Sequence, residues 1–218
     1  MEDWKMIFYY IVVVIICSFL PIVGRYIALI NTLIHEVCHV IAAILTGQKF
    51  RLTHKINLHY DSSGIAITQI DSWIARIIVA YMGYTGAALT TYLLFYLLSK
   101  QYYAAILYVF ISVAFLSVLL WIRNIYGVCW ILSFMTIICW IMYKDNLIFI
   151  NNISIFLSCV MLVQSILTAF TIFTCSIKQR KRAGDATVLA EATRIPAVIW
   201  GTIFLSQSIY IAYLIFQL

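Results

Sequence analysis

Charge is the scarcest commodity in this 218-residue chain. Only 10% of residues are charged, and the acids number eight against fourteen Lys and Arg. That excludes an ordinary soluble domain, in which about a quarter of residues are charged. Proline occurs twice and no CxxC pair is present, so neither a proline-rich linker nor a Cys-rich zinc or redox module is encoded. Cys17, Cys38, Cys129, Cys139, Cys159 and Cys175 are scattered through apolar stretches and read as free buried thiols. The +6 net charge is no nucleic-acid footprint, because the bases sit in short breaks between apolar runs, where they act as topology signals. The first apolar run lacks a small-residue cleavage site, so no cleavable signal peptide is expected.

Hydrophobic residues fill what charge leaves, at 65% of the chain and a mean hydropathy of +1.02. The expected class is an all-α polytopic membrane protein, one membrane-embedded domain over 1–218. Apolar segments fall at 6–20, 26–46, 72–99, 102–121, from about Gly127 to Tyr143, at 147–174, and from Pro196 to about 216. That makes seven spans. The first is short and stopped by Pro21, so six is the alternative if it does not cross. Gly47 supplies a stop for the second helix, and Gly83 and Gly86 allow close packing on the third. A short helical run covers Ala186–Thr193.

Residues 49–70 break the helical character. Ile56, Leu58 and Tyr60 alternate with polar neighbours, Asp61-Ser62-Ser63-Gly64 reads as a turn, and Ile65–Thr68 resumes an extended pattern. A β-hairpin is expected, with a free edge able to pair with an extended peptide or merely to connect helices. His54 and His59, five apart, point to opposite faces and read as solvated loop residues. Asn124, at the start of a helix, reads as a cap, with substrate holding as the alternative.

The one dense cluster of ionisable groups inside an apolar run is His35-Glu36-Val37-Cys38-His39. On a helix, positions i and i+4 share a face, so both imidazoles can meet one metal ion, with Glu36 beside them to take a proton from water activated there. Ionisable groups at membrane depth mark function by default. Cys38 reads as packing. A catalytic zinc wants three protein ligands and an open position. Glu2 and Asp3 are terminal, Asp61 sits in the hairpin turn, Asp71 reads as the cap of the third helix, and Asp145 falls on the opposite side. Asp185 and Glu191 remain. Their bland readings are a helix N-cap for Asp185 and an i+3 partner of Arg194 for Glu191.

The motif, followed by Ile41–Gly47 and then a hairpin, resembles the site-2 protease family of intramembrane zinc metallopeptidases. The similarity is greatest to its compact bacterial branch, the M50B-like peptidases. Gly184-Asp185-Ala186, Leu189-Ala190, Thr193, Ile195-Pro196 and Trp200 resemble that branch's C-terminal signature. The resemblance implies one zinc ion, Asp185 as third ligand, Glu36 as catalytic base, a membrane protein or peptide as substrate, and a bacterial cell membrane as location. Cys38 stands where the family usually has Gly. Two other functions stay open. A membrane zincin cutting peptides at the membrane face would use Glu191 as third ligand. A non-catalytic zinc-binding membrane protein would have no use for Glu36.

With the N-terminus inside, Lys5, Lys49, Arg51, Lys55, Arg76, Arg123, Lys178, Arg180, Lys181, Arg182 and Arg194 share the inner side, and Arg25, Lys100 and Lys144 the outer. Eleven against three places the N-terminus, the hairpin, Arg123 and the Asp185 loop in the cytoplasm by the positive-inside rule.

Overall fold

A computed structural model describes residues 2–47, 54–67, 70 and 72–218. The expected strand positions 50–53 and Thr68, and the Asp71 cap, lie outside the described residues. Among the described residues are eight α-helices, a 3-10 turn and one antiparallel hairpin. They run α1 Glu2–Ser18, α2 Val23–Leu45, β1 Lys55–Leu58, β2 Gly64–Ile67, α3 Trp73–Ser99, α4 Tyr103–Leu120, α5 Ile125–Tyr143, α6 Leu147–Lys178, α7 Asp185–Thr193 and α8 Ala197–Ile215. The chain is an all-α polytopic membrane protein with six helices long and apolar enough to cross a bilayer: α2, α3, α4, α5, α6 and α8. Large apolar side chains such as Phe115, Leu132, Trp140, Phe170 and Ile209 face outward, as lipid solvation allows and water does not.

α1 has 17 residues, short of the roughly 20 a span needs. Its direction explains why it makes no crossing of its own. Tyr10 meets Phe156 at 6.3 Å between ring centroids, and Gln164 Nε2 donates to Ser18 Oγ at 2.9 Å. Moving from 10 to 18 along α1 therefore matches moving from 156 to 164 along α6, and the two helices run in the same sense. α2 follows that sense too, with Asn31 against Thr168. α1 and α2 are successive parts of one pass, broken at Pro21, where Gly24 N–H already donates to Leu20 O at 2.8 Å. This corrects the expected topology: the N-terminus lies with the α3–α4 and α5–α6 connections, not with the hairpin. Arg25 is corrected as well. It lies within α2, and its guanidinium sits 4.8 Å from the Tyr60 ring of the hairpin.

α3 runs back along α2. Their close approach rests on glycine: a Cβ at Gly86 would lie 2.5 Å from Cys38 Sγ. Gly86 thus makes the room that Cys38 needs. Gly47, at φ +81°, ends α2 in the left-handed conformation that glycine adopts freely.

The hairpin folds back along α2. Thr32 Oγ1 donates to Ser62 O at 2.9 Å. Ile56 N–H donates to Trp121 O at 2.9 Å. The Asn124 side chain holds both main-chain groups of Leu58, accepting from its N–H at 3.1 Å and donating to its C=O at 2.5 Å. Asn124 occupies the N-cap position of α5 but makes no side-chain cap bond; it pins the hairpin instead. The outer edge of β1 is therefore covered. Ile56 and Leu58 oppose Ala66 and Gly64, so in an antiparallel ladder those two residues turn their own main-chain groups away from β1. The free edge of the hairpin is the one carrying Gly64 and Ala66. His54 is buried rather than solvated, at 1% exposure, and neither ring nitrogen has a partner among the described residues. It continues the inward phase of Ile56 and Leu58, while His59 faces out.

Candidate metal centre and its cavity

α2 carries the motif because its buried face repeats every three to four residues: Leu29, Ile30, Leu33, Ile34, Val37 and Val40 fill the core. His35 and His39 lie on the α3–α6 side of that helix. Their Nε2 atoms are 3.0 Å apart, and Asp185 Oδ2 lies 3.2 Å from each. A tetrahedron with bonds of about 2.0–2.1 Å has edges of about 3.3 Å, so the three atoms stand where ligands of one small cation stand. They form the metal-ligating group found among the described residues. The donor set of two imidazoles and a carboxylate is also the chemistry that borderline Zn²⁺ accepts.

The surroundings orient each group. His39 Nδ1 lies 2.7 Å from Val79 O; a carbonyl can only accept, so Nδ1 holds the proton and Nε2 presents its lone pair. Gly83 leaves the space for both rings, because a Cβ there would lie 2.5 Å from His35 Cε1 and His39 Nε2. Tyr84 lays its ring against His35, 4.5 Å between centroids. Asp185 is the first residue of α7, behind Gly184 at φ +51°. Burial alone would raise its carboxyl pKa, but His39 and His35 outweigh that and hold it well below the usual carboxylate range. The N-cap reading of Asp185 therefore gives way: Gly184 is the cap, and the carboxylate points at the imidazoles. Glu191 is elsewhere. It pairs at 3.0 Å with Arg76, not with the expected Arg194, on exposed surface.

Glu36 is 5% exposed and lies against Gly64 on the free edge of β2. Gly64 lets that edge come so near. Ser62–Ala66, Glu36, the two His and Asp185 border one cavity of about 950 Å³, closed on its far side by Gln164, Thr168 and Thr171 of α6. At the hairpin tip, Ser63 donates to Asp61 Oδ1 through its N–H at 3.1 Å and its hydroxyl at 2.6 Å. That holds the Asp61 pKa down and spends its carboxylate on the turn.

Sequence reasoning named His35, Glu36, His39 and Asp185, and the fold brings all four together. It missed the roles of Val79 O, Tyr84 and Asn31. Only Asn31 had a legible signal, its i, i+4, i+8 spacing with His35 and His39.

No curated protein and no solved structure gives a significant match. The family model described as Peptidase M50B-like matches residues 6–215, nearly the whole chain. The chain therefore belongs to the M50B-like peptidases, site-2 protease relatives in which zinc dependence is implied.

Proposed function

We propose that the chain, as one unit over 1–218, is an intramembrane zinc endopeptidase that cuts protein substrates within or next to their membrane segments. One zinc ion would be held by His35, His39 and Asp185. When bound it supplies Lewis acidity, which makes water a usable nucleophile near neutral pH and favours a developing oxyanion. The rest falls to the protein. Glu36 takes the proton of the attacking water and returns it to the leaving amine nitrogen. Gly64 of β2 packs against the Glu36 side chain and confines it. Asp185 stays anionic and offsets cationic charge in a low-dielectric site.

The observation that carries this reading is the sharing of one cavity by the ligand triad, Glu36 and a free strand edge. A substrate helix hides its carbonyls in its own hydrogen bonds and must unwind before attack. In a bilayer the freed groups need new partners. The Gly64–Ala66 edge offers main-chain pairing beside Glu36, as in strand addition. His39 is six residues from the end of α2 at Leu45, about 9 Å at 1.5 Å per residue, so the site lies below the surface on the hairpin side. With Lys5 moved across and Arg25 set within α2, eight bases among the described residues remain on the hairpin side, Lys55, Arg76, Arg123, Lys178, Arg180, Lys181, Arg182 and Arg194, against Lys5, Lys100 and Lys144. That bias supports a cytoplasmic hairpin and Asp185 loop in a bacterial cell membrane.

The test is to reconstitute the zinc-loaded protein in vesicles with a bacterial membrane-protein extract and sequence the new N-termini against a Glu36→Gln control. New ends inside or bordering membrane segments are expected. New ends confined to soluble loops would favour a zincin acting at the membrane face.

A further inference from the structure

Asn31 stands one helical turn before His35 and lines the same cavity. It is 3% exposed. Its Nδ2 donates to Thr168 Oγ1 at 3.4 Å. Thr168 spends its own proton on Gln164 O at 2.7 Å, so it can only accept from Asn31, and this fixes which way the amide points. Asn31 Oδ1 is left buried without a partner among the described residues. An orphaned amide oxygen inside an apolar bundle is costly and calls for a reason.

The threonine hydroxyls around it have their protons committed. Thr171 commits its hydroxyl proton to Leu167 O at 2.8 Å, as Thr168 does to Gln164 O. Thr168 Oγ1 and Thr171 Oγ1 therefore keep acceptor capacity on residues that line the cavity, and the unpartnered Asn31 Oδ1 is buried beside Thr168. The Gly64–Ala66 stretch of β2 borders the same cavity.

We propose that Asn31 is a substrate-binding residue: its Oδ1, backed by Thr168, accepts a backbone N–H from the unwound substrate on the edge turned away from β2. The inference rests on the peptidase reading and deepens it. An extended chain sends N–H groups to both of its edges in alternation. β2 can satisfy one edge only, and the other edge needs a partner of its own once its helix is unwound. An acceptor at Asn31, in the same cavity as β2, supplies what that second edge lacks. The single Asn31–Thr168 bond is long, and the terminal torsion of an Asn is soft, so the amide turns to its guest at little cost.

The probe is a set of short peptide hydroxamates, which grip a catalytic metal directly. One series carries the hydroxamate at the C-terminal end and one at the N-terminal end, so that chain lies on either side of the metal. Each backbone amide is replaced in turn by an ester, which removes one N–H and keeps the shape. Affinity is measured on zinc-loaded wild type, Asn31→Leu and Thr168→Val. In wild type, one ester position is expected to weaken binding about tenfold. Asn31→Leu should bind the all-amide peptide about tenfold more weakly and show no further loss at that position. Thr168→Val, nearly isosteric, should show a reduced ester penalty there, which keeps the proposal testable if Asn31→Leu does not fold. Equal ester penalties in every protein would overturn the proposal and leave Asn31 as a helix–helix contact. Failure of every hydroxamate to bind the zinc-loaded wild type would overturn the metal-site reading and this inference with it, a result distinct from binding without coupling.

Discussion

Gly64 approaches Glu36 so closely that a Cβ added to it would lie 2.8 Å from the Glu36 Oε1 oxygen and 2.9 Å from its Cγ. The strand edge and the proposed base are thus fitted to one another, and only a residue without a side chain permits the fit. Gly64→Ala must displace either the strand or Glu36, an overpacking cost of about 1–3 kcal/mol. Zinc content should stay unchanged, since Gly64 touches no ligand, while peptide cleavage falls about tenfold or more. Undiminished cleavage by the Ala variant would mean that this edge and Glu36 do not act together.

Glu36→Gln is expected to retain fold and zinc and to lose cleavage by about 10²–10⁴-fold, the usual share of a general base. Gln keeps the shape, but it cannot take a proton from water. Metal analysis beside a cleavage assay checks both halves. Near-normal turnover would remove Glu36 from the chemistry.

The shared direction of α1, α2 and α6 makes a topological prediction. In a background lacking the six native cysteines, Cys placed at Lys5, Lys100 and Lys181 should partition two against one. Lys5→Cys and Lys100→Cys react with a membrane-impermeant thiol reagent from outside the cell, and Lys181→Cys does not. Labelling of the Lys181 site together with protection of both others would invert the orientation. Protection of the Lys5 site alone would make α1 a crossing of its own.

The hydropathy runs alone gave the six long helices to within a few residues, because each is uninterrupted and ended by a charged or polar break. The side on which the chain begins was not legible. A 15-residue apolar run before Pro21 reads the same whether it turns back or continues, and only the contacts of Tyr10 and Ser18 with α6 decide it. The metal motif was legible because i, i+4 spacing is local. The proposed third ligand is far away in sequence, and residue chemistry left Asp185 and Glu191 open. Their separation in space comes from α7: residues 185 and 191 stand six apart on it, and the far end of that helix is tied outward by Arg76 and by Trp73 on Ala192 O. His54 was misread because polar type was weighed above strand phase. Its parity with Ile56 and Leu58 points it inward.

The most direct test of the proposed centre is the zinc content of three purified proteins: wild type, Asp185→Ala and Glu191→Ala. Wild type and Glu191→Ala should each carry about one zinc per chain. Asp185→Ala, with a third of the donor set gone, should lose most of its metal, binding at least about tenfold more weakly. Full zinc in Asp185→Ala with loss in Glu191→Ala would contradict the site built on His35, His39 and Asp185.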